Sequence, residues 1–272
     1  MDALPSFEVR DAVARLSHAH GAGERRAALF ALLLTPGSGA ELRAWRQAVE
    51  GVAGAERLRA DVAALPRALQ LPVFEALLDR SRTAPLPERQ ALVEGARRLM
   101  GADGQVSPLD RLRWLAMRHR LGEAPRTAPT AALSADAAEL PLAALVEFAA
   151  FSAFLARELP EPSADGGIGP SGAAWHARAL QPWSAPLEPL GGSAPLCRVP
   201  DGERTLQALR TLQRLSWMTR PVLLRAWLDA LEPPGAAGLS DDARDALRLA
   251  ATLLDVPAPE ALMSRYLDLG WA

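Results

Sequence analysis

Few residues in this chain are of the types that do chemistry, and their spacing limits what that chemistry can be. The histidines are His18, His20, His119 and His176, beside a single cysteine, Cys197. A catalytic zinc site of the His-Glu-x-x-His type needs two imidazoles one helical turn apart with a glutamate between them. No histidine here is followed by glutamate. His18 and His20, two residues apart, face different sides of a helix and cannot chelate together. His119 sits in the basic run Met117-Arg-His-Arg, where a cation suits a helix C-terminus. Cys197 and His176 fall in one irregular stretch and could pair as nucleophile and base, but nothing in the sequence orients the imidazole. A lone cysteine more often serves as a small buried apolar group. Asp103 and Asp110 flank a turn and are the candidates for holding a cation, although their spacing fits no EF-hand. Helix chemistry accounts for them as well. Ser107 reads as an N-cap, Pro108 as the first helical residue, Asp110 as the capping-box acid, and Gly104 as the left-handed residue of the turn. The stretch Gly166-Gly-Ile-Gly follows a helix and the chain has no lysine, so it reads as linker rather than a phosphate loop or dinucleotide fingerprint. No cofactor is implied.

The elements that must position these residues are helical. Leu and Ala carry the packing, since 49% of the 272 residues are hydrophobic and only 5% aromatic. All 30 basic residues are arginine. With asparagine also absent and isoleucine and tyrosine single, this reads as codon bias of a GC-rich bacterial genome, not as phosphate binding. A net charge of −2 argues against a nucleic-acid binder. The first residues lack the basic and apolar regions of a secretory signal, and the longest apolar run, 142–155, is too short to span a bilayer. One cysteine suits a reducing compartment, and the expected location is the cytoplasm.

Apolar residues at helical spacing predict helices from Phe7 to about His18, around 27–33, 42–52 and 58–65, and over 69–77, with Pro66 and Pro72 marking a start or a kink. The sequence divides into an N-terminal helical half (1–121), a linker and central hydrophobic helix (122–159), a Pro/Gly-rich irregular segment (160–200) and a C-terminal half (201–272) that closes on a short helix over 259–271. A helix–turn–helix recurs. Leu92, Val93, Ala96 and Met100 match Leu223, Leu224, Trp227 and Leu231 at one offset. Past the turn, Val106-Ser107 matches Leu239-Ser240, and Leu112, Leu115 and Ala116 match Ala246, Leu249 and Ala250. The expected fold is an all-α helical array of eleven or twelve helices, with two pseudo-repeated units around a shared core.

The segment 26–36 (Arg-Ala-Ala-Leu-Phe-Ala-Leu-Leu-Leu-Thr-Pro), the segment 65–80 and the Ala-Asp-Gly-Gln-Val-Ser loop at 102–107 together resemble one family region. It is the helical extension that follows the peptidase domain in bacterial membrane zinc metallopeptidases of the HtpX kind. That extension is itself similar to TerB-like domains of tellurite resistance, in which an alanine-aspartate-glycine turn followed by an acid joins two helices. The likeness runs from about residue 24 to 262. Departures are plain: the zinc motif and the membrane spans are missing, Asp110 stands where glutamate is typical, and the second turn, Pro-Gly-Ala-Ala-Gly at 234–238, has no aspartate. The resemblance implies a stand-alone TerB-like accessory module without the protease.

Seven tryptophans remain to be placed. Trp45 and Trp227 lie on apolar helix faces and are expected in the core. Trp175, Trp183 and Trp271 lie in loop or terminus, where tryptophan often anchors a partner. With His176 and Arg178 they make 160–200 and the terminus the expected partner-binding surface, a flexible loop that orders on another protein. The expected function is therefore a non-enzymatic, cytoplasmic protein–protein interaction or regulatory module, linked through the resemblance to an envelope-stress or protease system. The alternative is an enzyme or metal-binding protein using 160–200 with Asp103 and Asp110. An enzyme needs convergent titratable groups in a pocket, and an interaction module needs an exposed patch lined by apolar and arginine side chains.

Overall fold

The structure, a computed structural model, describes residues 7–122, 140–163, 165–231, 239–267 and 269. Among these every regular element is helical and none is a strand. No helix among them is long and apolar enough to cross a membrane. The described residues fall into two compact units, the first drawn from 1–106, 113–124 and 264–272, the second from 107–112 and 125–263.

The first unit is built around helix α2 (Ala22–Ala31), which packs against α3 (Gly39–Ala48), α4 (Ala55–Ala63), α5 (Arg67–Ser81) and α6 (Leu86–Met100), while α1 (Phe7–Ser17) lies on α4. Residues 27–31, Ala-Ala-Leu-Phe-Ala, are all buried, as a central helix requires. α6 comes close to α2 at Gly95, where a Cβ would stand 2.7 Å from the Phe30 ring. The 35–38 turn that ends this stretch is tied by the buried Glu41, whose carboxylate accepts from the Thr35 N–H and hydroxyl. Trp45 is fully buried and its indole donates to the Ala27 carbonyl at 3.0 Å. Pro72 sits inside α5 rather than at an end. Proline has no N–H to give the carbonyl four residues back. That carbonyl, of Ala68, accepts instead from the Leu267 N–H at 3.3 Å.

In the second unit α8 (Leu142–Leu155) is the apolar centre, packed against α9 (Pro170–Leu180), α10 (Ser184–Leu187) and α11 (Gly202–Gln213). α12 (Arg220–Asp229) packs on α9 and on α13 (Asp241–Leu253), and α13 on α14 (Glu260–Met263). α7 (Pro108–Leu121) opens with residues of this unit and continues in the first. Two sequence expectations need correction. The segment 160–200 is largely ordered by helix: Gly169 and Pro170 start α9 rather than break the chain, and Gly172 lets α9 approach the end of α8. The terminal helix stops at Met263, well short of 271, and the chain leaves it to reach Ala68.

The positions matched between the two helix–turn–helix segments are buried in both, from Leu92 and Leu223 to Ala116 and Ala250. Amphipathic spacing alone gives this shared burial, with or without duplication. At the turn they differ, since Val106 is exposed where Leu239 is buried. The turn residues 234–238 lie outside the described residues.

A Cβ on Gly172 would fall 2.1 Å from the Ala156 carbonyl oxygen, a backbone atom that cannot swing aside. Gly172→Ala is expected to cost about 1–3 kcal/mol or more. Gly202→Ala, at a position with nothing within 4 Å, is expected to be neutral. Urea unfolding of both variants checks the contrast, and equal midpoints would show that the helices part at no cost.

Candidate functional site

The residues expected to bind a partner are used inside the second unit. The last carbonyls of a helix have no partner within it and need one from elsewhere. α9 supplies partners to the end of α12. Trp175 is 0% exposed and its indole N–H donates to the Trp227 carbonyl at 3.0 Å. One turn on, Arg178 Nε donates to the Ala230 carbonyl at 2.8 Å. Trp183, 2% exposed, sets its edge on the Phe148 ring at 5.2 Å and 71°. His176 is fully buried, with Nε2 3.1 Å from the Ala149 carbonyl oxygen, so Nε2 carries the proton. Burial pushes its pKa below the ordinary imidazole range, against the raising effect of that bond. Trp175 and Trp183 are thus core residues rather than exposed anchors. Trp271 lies outside the described residues.

The candidate cation ligands do local work. Asp103 accepts from the Gln105 N–H at 2.9 Å and from Ser38 at 3.3 Å. Gly104, between Asp103 and Gln105, has φ +78°. Asp110 closes the capping box with Ser107: it accepts from the Ser107 hydroxyl at 2.7 Å while its own N–H donates to that hydroxyl at 3.0 Å. Among the described residues no three histidine, cysteine or acidic side chains are grouped to hold a metal ion. Burial raises the Cys197 thiol pKa, the wrong direction for a nucleophile. Of two clefts in the first unit, one of about 330 Å³ is lined by Trp45, Arg46 and Glu56, and its Arg46 and Glu56 pair with each other at 3.1 Å. The other, of about 130 Å³, brings Arg25 and Arg26 near Glu88 and Ser81.

One acid in the second unit is tuned to neutrality. Glu158 is 5% exposed, and burial raises its pKa to about 7. Asp242 and Asp110 push the same way, while Arg157 and a hydrogen bond from the Leu109 backbone oppose them.

Large apolar residues are exposed singly at Phe7, Val199 and elsewhere among the described residues, and as an adjacent pair at the turn between α11 and α12. Trp217 is 78% exposed and Met218 49% exposed, although Leu215 before them and Thr219 after them are buried. This turn is held from beneath by one guanidinium. Arg220 donates to the Leu215 carbonyl at 3.0 Å and the Gln213 carbonyl at 2.7 Å, tying down the end of α11. It also donates to the Leu254 carbonyl at 3.1 Å and to Asp255 at 3.2 Å, at the end of α13. Asp255 takes a left-handed φ of +53°, and the Val256 N–H reaches back to the Ala251 carbonyl to close that helix end. Within the turn, Ser216 Oγ lies 2.9 Å from the Thr219 hydroxyl and accepts from the Thr219 N–H at 3.2 Å. Two adjacent apolar side chains are therefore presented to solvent on a backbone that has little freedom left.

Loop composition gives no signal at Trp217, because it falls inside the C-terminal helical half rather than the Pro/Gly-rich segment or the terminus. The available signal was its register. Glu203, Gln207, Arg210 and Arg214 are the exposed face of α11 and its C-terminal end, and Trp217 falls next on that polar stripe. An aromatic residue on the wrong face was the clue. No family model matches the chain, and neither curated proteins nor solved structures give a match.

Two outcomes follow for stability. Trp183→Ala is expected to cost about 3–5 kcal/mol as a large core truncation, and Trp217→Ala no more than about 0.5 kcal/mol as a surface change. Denaturant midpoints that fall equally would show that Trp217 packs into the core. Glu158, with its folded pKa raised above the ordinary value of 4.5, stabilises the fold fully below about 4.5, and that contribution is lost as pH rises toward 7. The loss amounts to about 3 kcal/mol. Unfolding curves of wild type and Glu158→Gln should converge at low pH and separate across this window, the variant being the flatter. Parallel profiles would mean Glu158 ionises normally.

Proposed function

We propose that this chain is a non-enzymatic protein–protein interaction module, acting as a cytoplasmic accessory or regulatory protein, and that it engages its partner through the Trp217–Met218 turn. The observation that carries this is the exposure of Trp217 on a turn clamped by Arg220. Tryptophan supplies a large share of binding energy at interfaces, and methionine is enriched there with it. A backbone already fixed in place avoids much of the ordering cost that association otherwise carries. The enzyme alternative has Glu158 in its favour, a carboxyl near neutrality beside Asp110. Its burial argues for a structural acid instead. The likeness of 26–36, 65–80 and 102–107 to the TerB-like extension of HtpX-type peptidases supports an accessory role near an envelope protease, and the surface reading stands without it.

The test is affinity capture from the native host with the full chain, comparing wild type and Trp217→Ala at equal melting temperature. A partner held by wild type and lost by the variant is the expected result. A partner held equally by both places the docking surface elsewhere and overturns the reading.

A further inference from the structure

Granted that the Trp217 turn is the docking surface, the geometry points to a partner protein that offers it an acidic segment with an apolar recess, carboxylates flanking the pocket that takes the indole. Three exposed residues on the two helices that meet at Trp217 and Met218 are cationic, against the exposed acids Asp229 and Asp255. Arg210 and Arg214, one turn apart, end the solvent face of α11, and Arg225 lies one turn past the exposed Pro221 on α12. None of the three arginines is in an ion pair among the described residues, as is also true of the exposed Arg43, Arg57, Arg97 and Arg98 of the first unit. Arg220, beneath the turn, is already paired with Asp255. The acids of α11, Glu203 and its cap Asp201, sit at its far end.

A simpler account exists for part of this pattern. Cations at a helix C-terminus are favoured by the helix dipole, which suffices for Arg210 and Arg214. It does not reach Arg225, in the middle of α12. Codon bias explains why the cations are arginines, and the spacing sets Arg214 three residues before Trp217 with Arg210 one turn further back. Like charges at this spacing repel and destabilise their own helix slightly, so a partner's carboxylates would relieve a cost the free protein carries. A guanidinium meets a carboxylate with two parallel hydrogen bonds, which adds orientation to the contact made by the indole. A protein is favoured over a lipid surface because the apolar part is one compact protrusion, Trp217 and Met218, rather than the extended apolar helix face of an interfacial anchor.

The test uses the full chain as bait for a phage-displayed library of random short peptides. Enriched peptides are then titrated against wild type, Trp217→Ala and the triple variant Arg210→Gln/Arg214→Gln/Arg225→Gln, each confirmed folded by circular dichroism. The inference expects enriched peptides that combine acidic with apolar residues. Affinity should fall about tenfold or more in the triple variant and weaken as salt rises from about 50 to 300 mM. Neutral apolar peptides that need Trp217 but ignore the triple substitution would overturn the acidic partner and leave the docking surface standing. Peptides indifferent to both changes would overturn both. Failure of any peptide to enrich overturns the acidic segment. Two parallel measurements cover other occupants. Trp217-dependent binding to phosphatidylcholine–phosphatidylserine vesicles would assign the surface to a membrane, and a Trp217-dependent dimer in sedimentation would assign it to a second copy. Either result overturns the inference.

Discussion

The second unit depends on how Trp227 is buried. Its ring stacks on Phe148 at 5.4 Å and 16° and leans on Phe151, filling the space above the apolar face of α8. Burying an indole also buries its N–H, which would be costly if left without a partner. Ser152, a fully buried polar residue of α8, takes that proton at 2.8 Å. The Trp227 carbonyl, orphaned by the end of α12, is in turn satisfied by the indole of Trp175. One residue thus couples α8, α9 and α12 through its ring, its donor and its backbone acceptor. Gly172 is needed for the same reason: α9 can deliver Trp175 only if its first turn comes against the Ala156 carbonyl with no side chain between.

This arrangement explains which parts of the molecule were legible in the sequence. The all-α class and the position of most helices followed from apolar spacing, and local cap chemistry followed from Ser107 and Asp110, because both are set within a few residues. Trp45 and Trp227 were readable as core for the same reason. Trp175 and Trp183 were not. Their surroundings are rich in Pro, Gly and Ser, a composition that resembles a linker, and only the long-range acceptor on Trp227 and the Phe148 face show why they are buried. Proline at a helix start and glycine at a close approach leave the same mark on a sequence as proline and glycine in a loop. Pro72 shows the converse. A proline that breaks one hydrogen bond in α5 is tolerated because Leu267, almost two hundred residues later, supplies the missing donor.

Several other polar groups of the interior are matched by the same rule, although the Trp114 indole N–H and His176 Nδ1 are buried with no hydrogen-bond partner among the described residues. Trp45 finds Ala27, His176 finds Ala149, Arg178 finds Ala230, and burial, with nearby acids, raises the Glu158 pKa to about 7. Residues whose types suggest chemistry are therefore largely absorbed by structure. A histidine with one nitrogen bound to a carbonyl and its pKa lowered by burial is a packing residue that happens to be able to titrate. The thiol of Cys197, its pKa raised by partial burial, belongs to the same class.

Trp217 is the exception that gives the surface its meaning. The indoles of Trp45, Trp175 and Trp227 point inward to a backbone or hydroxyl acceptor, and the chain commits side chains from distant positions to make that possible. At the α11–α12 turn the commitment is reversed. Arg220 uses its guanidinium on two helix ends, and Asp255 accepts a left-handed backbone, to hold a segment whose tryptophan stays 78% exposed. A turn needs no tryptophan to be clamped in this way, and alanine at 217 would leave all of these hydrogen bonds in place. The indole is therefore surplus to the fold, and a surplus apolar group on a rigid mount is what the proposed docking surface requires.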